Sequence, residues 1–214
     1  MNPLLTEQHE ALRREIREFA EREIAPKAAM LDENEEFSVE LTHKMGDAGI
    51  LGLNMPKEYG GRGLDTLSYI IAVEELARVD SSQAATVVAH NSLGLVPILD
   101  YGTEEQKMKY LPQLTTGQKL WGFGLTEENA GSDALGTETT AVRDGDHWVI
   151  NGAKRFITNA STPITLGVTL QVKTTDESGQ SRLTTILVER DTPGFKAERM
   201  LGKMMWRAAD TAKL

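Results

Sequence analysis

The residues best suited to chemistry form one unbroken run, Trp121-Gly122-Phe123-Gly124-Leu125-Thr126-Glu127-Glu128-Asn129-Ala130-Gly131-Ser132-Asp133. A glycine-punctuated aromatic strand that ends in a small polar turn presents backbone N–H groups and hydroxyls with no bulky side chain in front of them. Such a turn can receive the anionic edge of a ring or a pyrophosphate. Taken alone, Gly131 and Ser132 make a plain surface turn. A second run, Asn151-Gly152-Ala153-Lys154-Arg155-Phe156-Ile157-Thr158-Asn159, places Phe156 and Thr158 two apart on one expected strand. Both then point to the same face and suit a single flat ligand, although a core aromatic beside a strand threonine is the commoner arrangement. With no cysteine in the chain, thiolate nucleophiles, disulfides and cysteine-held metals are excluded. His9, His43, His90 and His147 are too scattered to suggest a metal site and read as surface or helix-packing side chains.

These runs need elements to hold them. From about Thr6 to Gln118 apolar positions recur at helical spacing, as in Leu12, Ile16, Phe19 and Ala20, and about five helices are expected. Asp80-Ser81-Ser82-Gln83 and Thr103-Glu104-Glu105-Gln106 have the capping-box arrangement. Glycines at 46–52, 60–63 and 102 are expected to end helices in the left-handed conformation. After Lys119 the pattern changes to β-branched runs between polar turns: His147-Trp148-Val149-Ile150 follows Asp144-Gly145-Asp146, and Thr184-Thr185-Ile186-Leu187-Val188 precedes Asp191-Thr192-Pro193-Gly194. Asp176-Glu177-Ser178-Gly179-Gln180 reads as an exposed hairpin loop and Glu33-Asn34-Glu35-Glu36 as a solvated one. The expected fold class is α+β, with a helical domain over 1–119 and an incomplete antiparallel, barrel-like β domain over 120–214. No crossover helices alternate with the strands, so a doubly wound nucleotide fold is disfavoured. The net charge of -9 disfavours nucleic acid. No apolar run approaches the roughly 18 residues of a membrane span, and the first residues do not resemble a signal peptide, so a cytoplasmic protein is expected.

Four blocks carry a family resemblance. The run 121–133 resembles the acyl-CoA dehydrogenase signature T-E-x-x-A-G-S-D that follows an aromatic strand, and 151–159 resembles that family's N-G-x-K-x-[FW]-I-T-N. Met55-Pro56-Lys57-Glu58-Tyr59-Gly60-Gly61 is similar to its P-x-E-Y-G-G turn, and Met204-Met205-Trp206-Arg207-Ala208-Ala209-Asp210-Thr211 to its M-G-x-R-x-S-D-T. The resemblance implies FAD as cofactor, acyl-CoA as substrate, an electron-transferring flavoprotein as electron partner, and a homo-oligomer or a partner chain. It also implies site roles. Phe123, Leu125 and Thr126 would line the flavin's pyrimidine side, with Gly131 and Ser132 at the pyrophosphate and Ser132 beside the acyl-CoA. Phe156 would pack on the flavin, Thr158 would bond near N5, and Ile157 would lie between them.

Residues Asp80 to Leu99 match the helix that lines the family's acyl pocket, which points to Thr86, Ala89 and His90 as substrate contacts; the same Val, Ala and Leu pattern also describes a core helix. Met205, Ala209 and the segment Ser161–Thr165 depart from the family pattern. Full-length members continue with one more strand and a helical bundle that carries the proton-abstracting glutamate. No residue here is therefore assigned as the base. The expected activity is α,β-dehydrogenation of an acyl-CoA thioester or its reversal, and the 214 residues alone are expected to show little turnover. A non-catalytic flavin- or CoA-binding subunit that needs a partner chain is the alternative.

Overall fold

The computed structural model describes residues 5–176 and 178–214. Its helices are α1 (Glu7–Phe19), α2 (Ala25–Glu33), α3 (Val39–Asp47), α4 (Thr66–Ala77), α5 (Ser81–Val88), α6 (Val96–Tyr101) and α7 (Glu104–Thr115). Two π-helical segments, Ala20–Ile24 and Ala89–Leu95, join α1 to α2 and α5 to α6, so the helices of the described residues form five continuous rods. The caps follow the sequence in part. Thr103 and Gln106 make the reciprocal box, whereas Gln83 reaches only the Asp80 carboxylate, whose other oxygen accepts from Ser82 N. Gly49 and Gly60 take positive φ of 68° and 85°. Gly102 does not. It is extended at φ -70°, and its glycine requirement is one of space, because a Cβ there would fall 2.5 Å from the Ile98 carbonyl oxygen.

The helical core is built from the apolar stripe of α1 (Leu12, Ile16, Phe19) against Tyr69, Ala72 and Leu76 of α4. Beside it Glu75 is fully buried and takes Arg13, Arg17 and Arg78 at 2.7, 2.8 and 2.9 Å. Among the described residues no helix is long and apolar enough to cross a membrane.

The strands are β1 (Leu120–Gly124), β2 (Thr140–Asp144), β3 (His147–Asn151), β4 (Ile157–Thr158), β5 (Thr165–Thr175), β6 (Ser181–Glu189), β7 (Glu198–Arg199) and β8 (Thr211–Lys213). Hairpins join β2 to β3 and β5 to β6; Asp176 organises the second by accepting from Ser178 N and Gln180 N, while Glu177 lies outside the described residues. A second, antiparallel sheet runs β4-β8-β7. The antiparallel expectation fails at the centre of the larger sheet, where β1 and β2 both run parallel to β5. Parallel neighbours need a long connection, and the excursion through 125–164 supplies it. The larger sheet is open, not a closed barrel.

The charged run 33–36 is not simply solvated. Glu35, at φ 52°, accepts Gly202 N on its carboxylate and Arg199 on its carbonyl, and Arg207 reaches Asp32 O at 3.1 Å. The loop is thus tied to the segment that precedes β8.

Candidate functional site

β1 is seated from both sides. The Trp121 ring is fully buried, its Nε1 donating to Thr169 Oγ1 at 3.0 Å. Glycine at 122 and 124 then allows a close neighbour: a Cβ on Gly122 would stand 3.1 Å from Thr158 O, and one on Gly124 would stand 3.3 Å from Lys154 Cγ. The second run therefore lies directly along the first. Arg155 N donates to Thr126 O at 2.8 Å, which brings Thr126 beside Phe156.

A buried ion pair locks this junction. Lys154 Nζ donates to Glu127 at 2.6 Å and to Leu125 O at 3.1 Å, and Glu127 also accepts from the backbone of Glu138 at 2.6 Å and Thr139 at 3.1 Å. Burial alone would raise the Glu127 carboxyl, but the Lys154 ammonium and the backbone donors outweigh it and hold the group down at about 2. Burial pushes the Lys154 ammonium below its ordinary range, with Glu127 opposing that shift. Neither residue was singled out in the sequence, where each stands beside a second like charge, Glu128 or Arg155, that is not buried. Asp210 was missed too; buried, it accepts Ser161 N at 2.8 Å and the Ser161 hydroxyl on its carboxylate, and Asn159 N at 3.3 Å on its carbonyl, drawing the fourth block onto the second. The third block stands elsewhere. Tyr59 O accepts Thr115 Oγ1 at 2.6 Å, so that turn braces α7.

The sequence-derived candidates fall into four settings. Phe123, Leu125, Thr126 and Thr158 are half-buried around the junction, and Phe156 is 57% exposed beside them. Phe156 lies outside β4 at a φ of 63°, and its ring is flanked by the Arg155 guanidinium at 4.9 Å. A bulky side chain in the left-handed region carries backbone strain that the surrounding structure must hold in place. Gly131 and Ser132 lie on an exposed turn, with open space where a Gly131 side chain would be.

Ile157 belongs to a different environment. Its side chain is buried with Val168 and Ala212, because β4 alternates and the residue between two outward neighbours must face the core. On the helical side, Thr86 is buried with its hydroxyl on Ser82 O at 3.2 Å, and its carbonyl accepts Asn159 Nδ2 at 2.9 Å. Ala89 is half-buried at the start of the second π-helical segment. His90 is fully buried with both ring nitrogens bonded to backbone, to Leu114 O at 3.0 Å and Trp121 N at 3.3 Å. A separate cleft of about 660 Å³ opens between β3, β6 and the 192–196 turn, and none of these candidates lines it.

Residues 6–118 match the model of the acyl-CoA dehydrogenase N-terminal domain and residues 122–214 that of the acyl-CoA dehydrogenase middle domain. A short-chain specific acyl-CoA dehydrogenase of Clostridium acetobutylicum is 44% identical over 210 residues, 98% of this chain and 55% of that protein. The 3-(aryl)acrylate reductase of Clostridium sporogenes is 41% identical over 199 residues, covering 93% and 52%. Among solved structures, an acyl-CoA dehydrogenase from Bacillus anthracis complexed with FAD superposes with a TM-score of 0.90 at 34% identity, over 100% of this chain and 36% of that one. The chain spans about half the length of the curated relatives it matches.

Proposed function

The chain belongs to the acyl-CoA dehydrogenase family, and on that premise we propose that it forms the flavin-binding wall of an FAD-dependent oxidoreductase acting on the Cα–Cβ bond of an acyl-CoA thioester. The observation that carries this reading is the junction itself. Two half-buried hydroxyls, Thr126 and Thr158, and an outward aromatic, Phe156, stand together on backbone that the Glu127–Lys154 pair holds rigid.

The residues fit the cofactor. Phe123, Leu125 and Phe156 would cover apolar ring surface, Thr126 and Thr158 would bond its polar edge, and the unobstructed Gly131–Ser132 turn would take the pyrophosphate. When bound, FAD supplies the acceptor for the hydride that leaves the β-carbon. The chain's own part is orientation: neutral donors fixed before reaction stabilise charge that appears only as the ring is reduced. Thr86, whose carbonyl takes Asn159 of the second block, and Ala89, three residues on, would border the acyl chain. The same residues serve oxidation or reduction, and removal of the α-proton is assigned to no residue of this segment. The setting we propose is a cytoplasmic oligomer in fatty acid metabolism that passes electrons to an electron-transferring flavoprotein.

Thr158→Val in the full-length protein tests the reading. The variant should keep its fold and its bound flavin spectrum, and butyryl-CoA should bleach that flavin about tenfold more slowly. Unchanged bleaching would remove Thr158 from the site, and a colourless wild-type protein that takes up no added FAD would sink the reading as a whole.

A further inference from the structure

We propose that His90 is a positioning residue for β1, fixing through Trp121 the height and register of the strand that carries Phe123; the flavin consequence rests on the reading above, the strand contact does not. Three features converge on the Trp121 backbone. The pairing of β1 with β5 slips between Leu120 and Trp121, whose partners are Thr165 and Gly167, and such an irregularity leaves a ladder group to find another partner. Trp121 N finds it in His90 Nδ1 at 3.3 Å. The π-helical segment that carries His90 also presses on the other end of the same residue, since a Cβ on Gly94 would lie 2.7 Å from Trp121 O. A π-helical turn inserts a residue into an otherwise regular helix and re-aims the side chains around it. Here it turns His90 towards β1 and α7 at once.

The chemistry of the contacts fixes the tautomer. A backbone N–H only donates and a carbonyl only accepts, so Nδ1 must be bare towards Trp121 and Nε2 must carry the proton that goes to Leu114 O. Burial pushes the imidazole down to about 4, the two backbone bonds opposing that shift only in part. The ring is therefore neutral at pH 7, as the two contacts require. A ring engaged in this way has no free nitrogen for a further hydrogen bond.

Two substitutions separate the arms. In His90→Asn the amide oxygen stands near the place of Nδ1 and can still accept Trp121 N; in His90→Gln the amide nitrogen stands near the place of Nε2 and can still donate to Leu114 O. Each loses one buried bond, so both should be less stable in urea by similar amounts. In the full-length protein His90→Gln should release FAD about tenfold more readily than wild type and exchange the Trp121 amide proton faster than the equally destabilised His90→Asn does, whereas His90→Asn should hold FAD as wild type does. Equal flavin loss in the two variants, or none in either, would reduce His90 to packing and overturn the proposal. If wild-type protein binds no FAD, the flavin reading fails while Trp121 exchange still decides the strand contact. Should a variant fail to fold, nitrogen NMR of wild-type His90 decides with wild-type exchange: an Nε2–H neutral ring and a slowly exchanging Trp121 amide support the proposal, and an Nδ1–H ring or a fast-exchanging amide overturns it.

Discussion

Glu75 in the helical half and Glu127 in the β half are both buried carboxylates held at about 2, yet their partners differ in kind. For Glu75 the bond to Arg17 is the largest influence, with Arg13 and Arg78 adding to it against burial, and these three guanidinium groups reach in from the surface with 43%, 22% and 49% of their side chains exposed. Glu127 faces Lys154, whose side chain is 1% exposed, and the backbone of Glu138 and Thr139. An arginine that loses Glu75 can turn back to water. Lys154 cannot. The helical cluster ties two helices together, while the β pair holds the junction between two site segments, and removing one of its partners strands a buried charge.

Acid should expose both arrangements at once, with the largest loss. Each carboxyl lies at about 2 when folded against an ordinary 4.5. Lowered folded values mean that the stabilisation is complete above pH 4.5 and disappears as pH falls towards 2. Chemical denaturation across that window should show a falling urea midpoint; a flat profile would deny that either group is so depressed.

Glu127→Gln isolates the more demanding pair. It leaves Lys154 buried without a counter-charge and should lower stability by about 3–5 kcal/mol, with loss of flavin. Adding Lys154→Met to it should recover a substantial part of the stability, since no buried charge then remains; a double variant no more stable than the single one would contradict the comparison. Glu75→Gln comes next. Its arginines stay solvated, so denaturation should show a loss of about 1–2 kcal/mol with flavin affinity unchanged, and a change in the flavin spectrum would mean that the two halves are coupled more tightly than their contacts suggest. The smallest effect is expected from Gly145→Ala at the tip of the β2–β3 hairpin. Its φ of 59° opens into empty space, so the left-handed backbone alone costs about 1 kcal/mol, and thermal melting should register that without a shift in flavin binding.

By itself the sequence determined the five helical rods, because an apolar stripe at helical spacing must be buried and Thr103, Asp80 and Gly60 punctuate it locally. It also marked the blocks around Thr126, Phe156 and Asp210, whose glycine spacing and small polar residues are local features. Tertiary structure alone decided strand direction, since β1 and β5 pair parallel only through the path the chain takes between them. It decided partners as well. Glu127 meets Lys154 from 27 residues away, Glu35 is clamped by residues more than 160 further on, and Ile157 turns to the core while its neighbours do not. His90 is the clearest instance: its place on a helix of small residues is equally good for touching a ligand or a neighbouring strand. A side chain's direction follows from the periodicity of its own element, but what waits there depends on elements far off in the chain, and only packing brings them together.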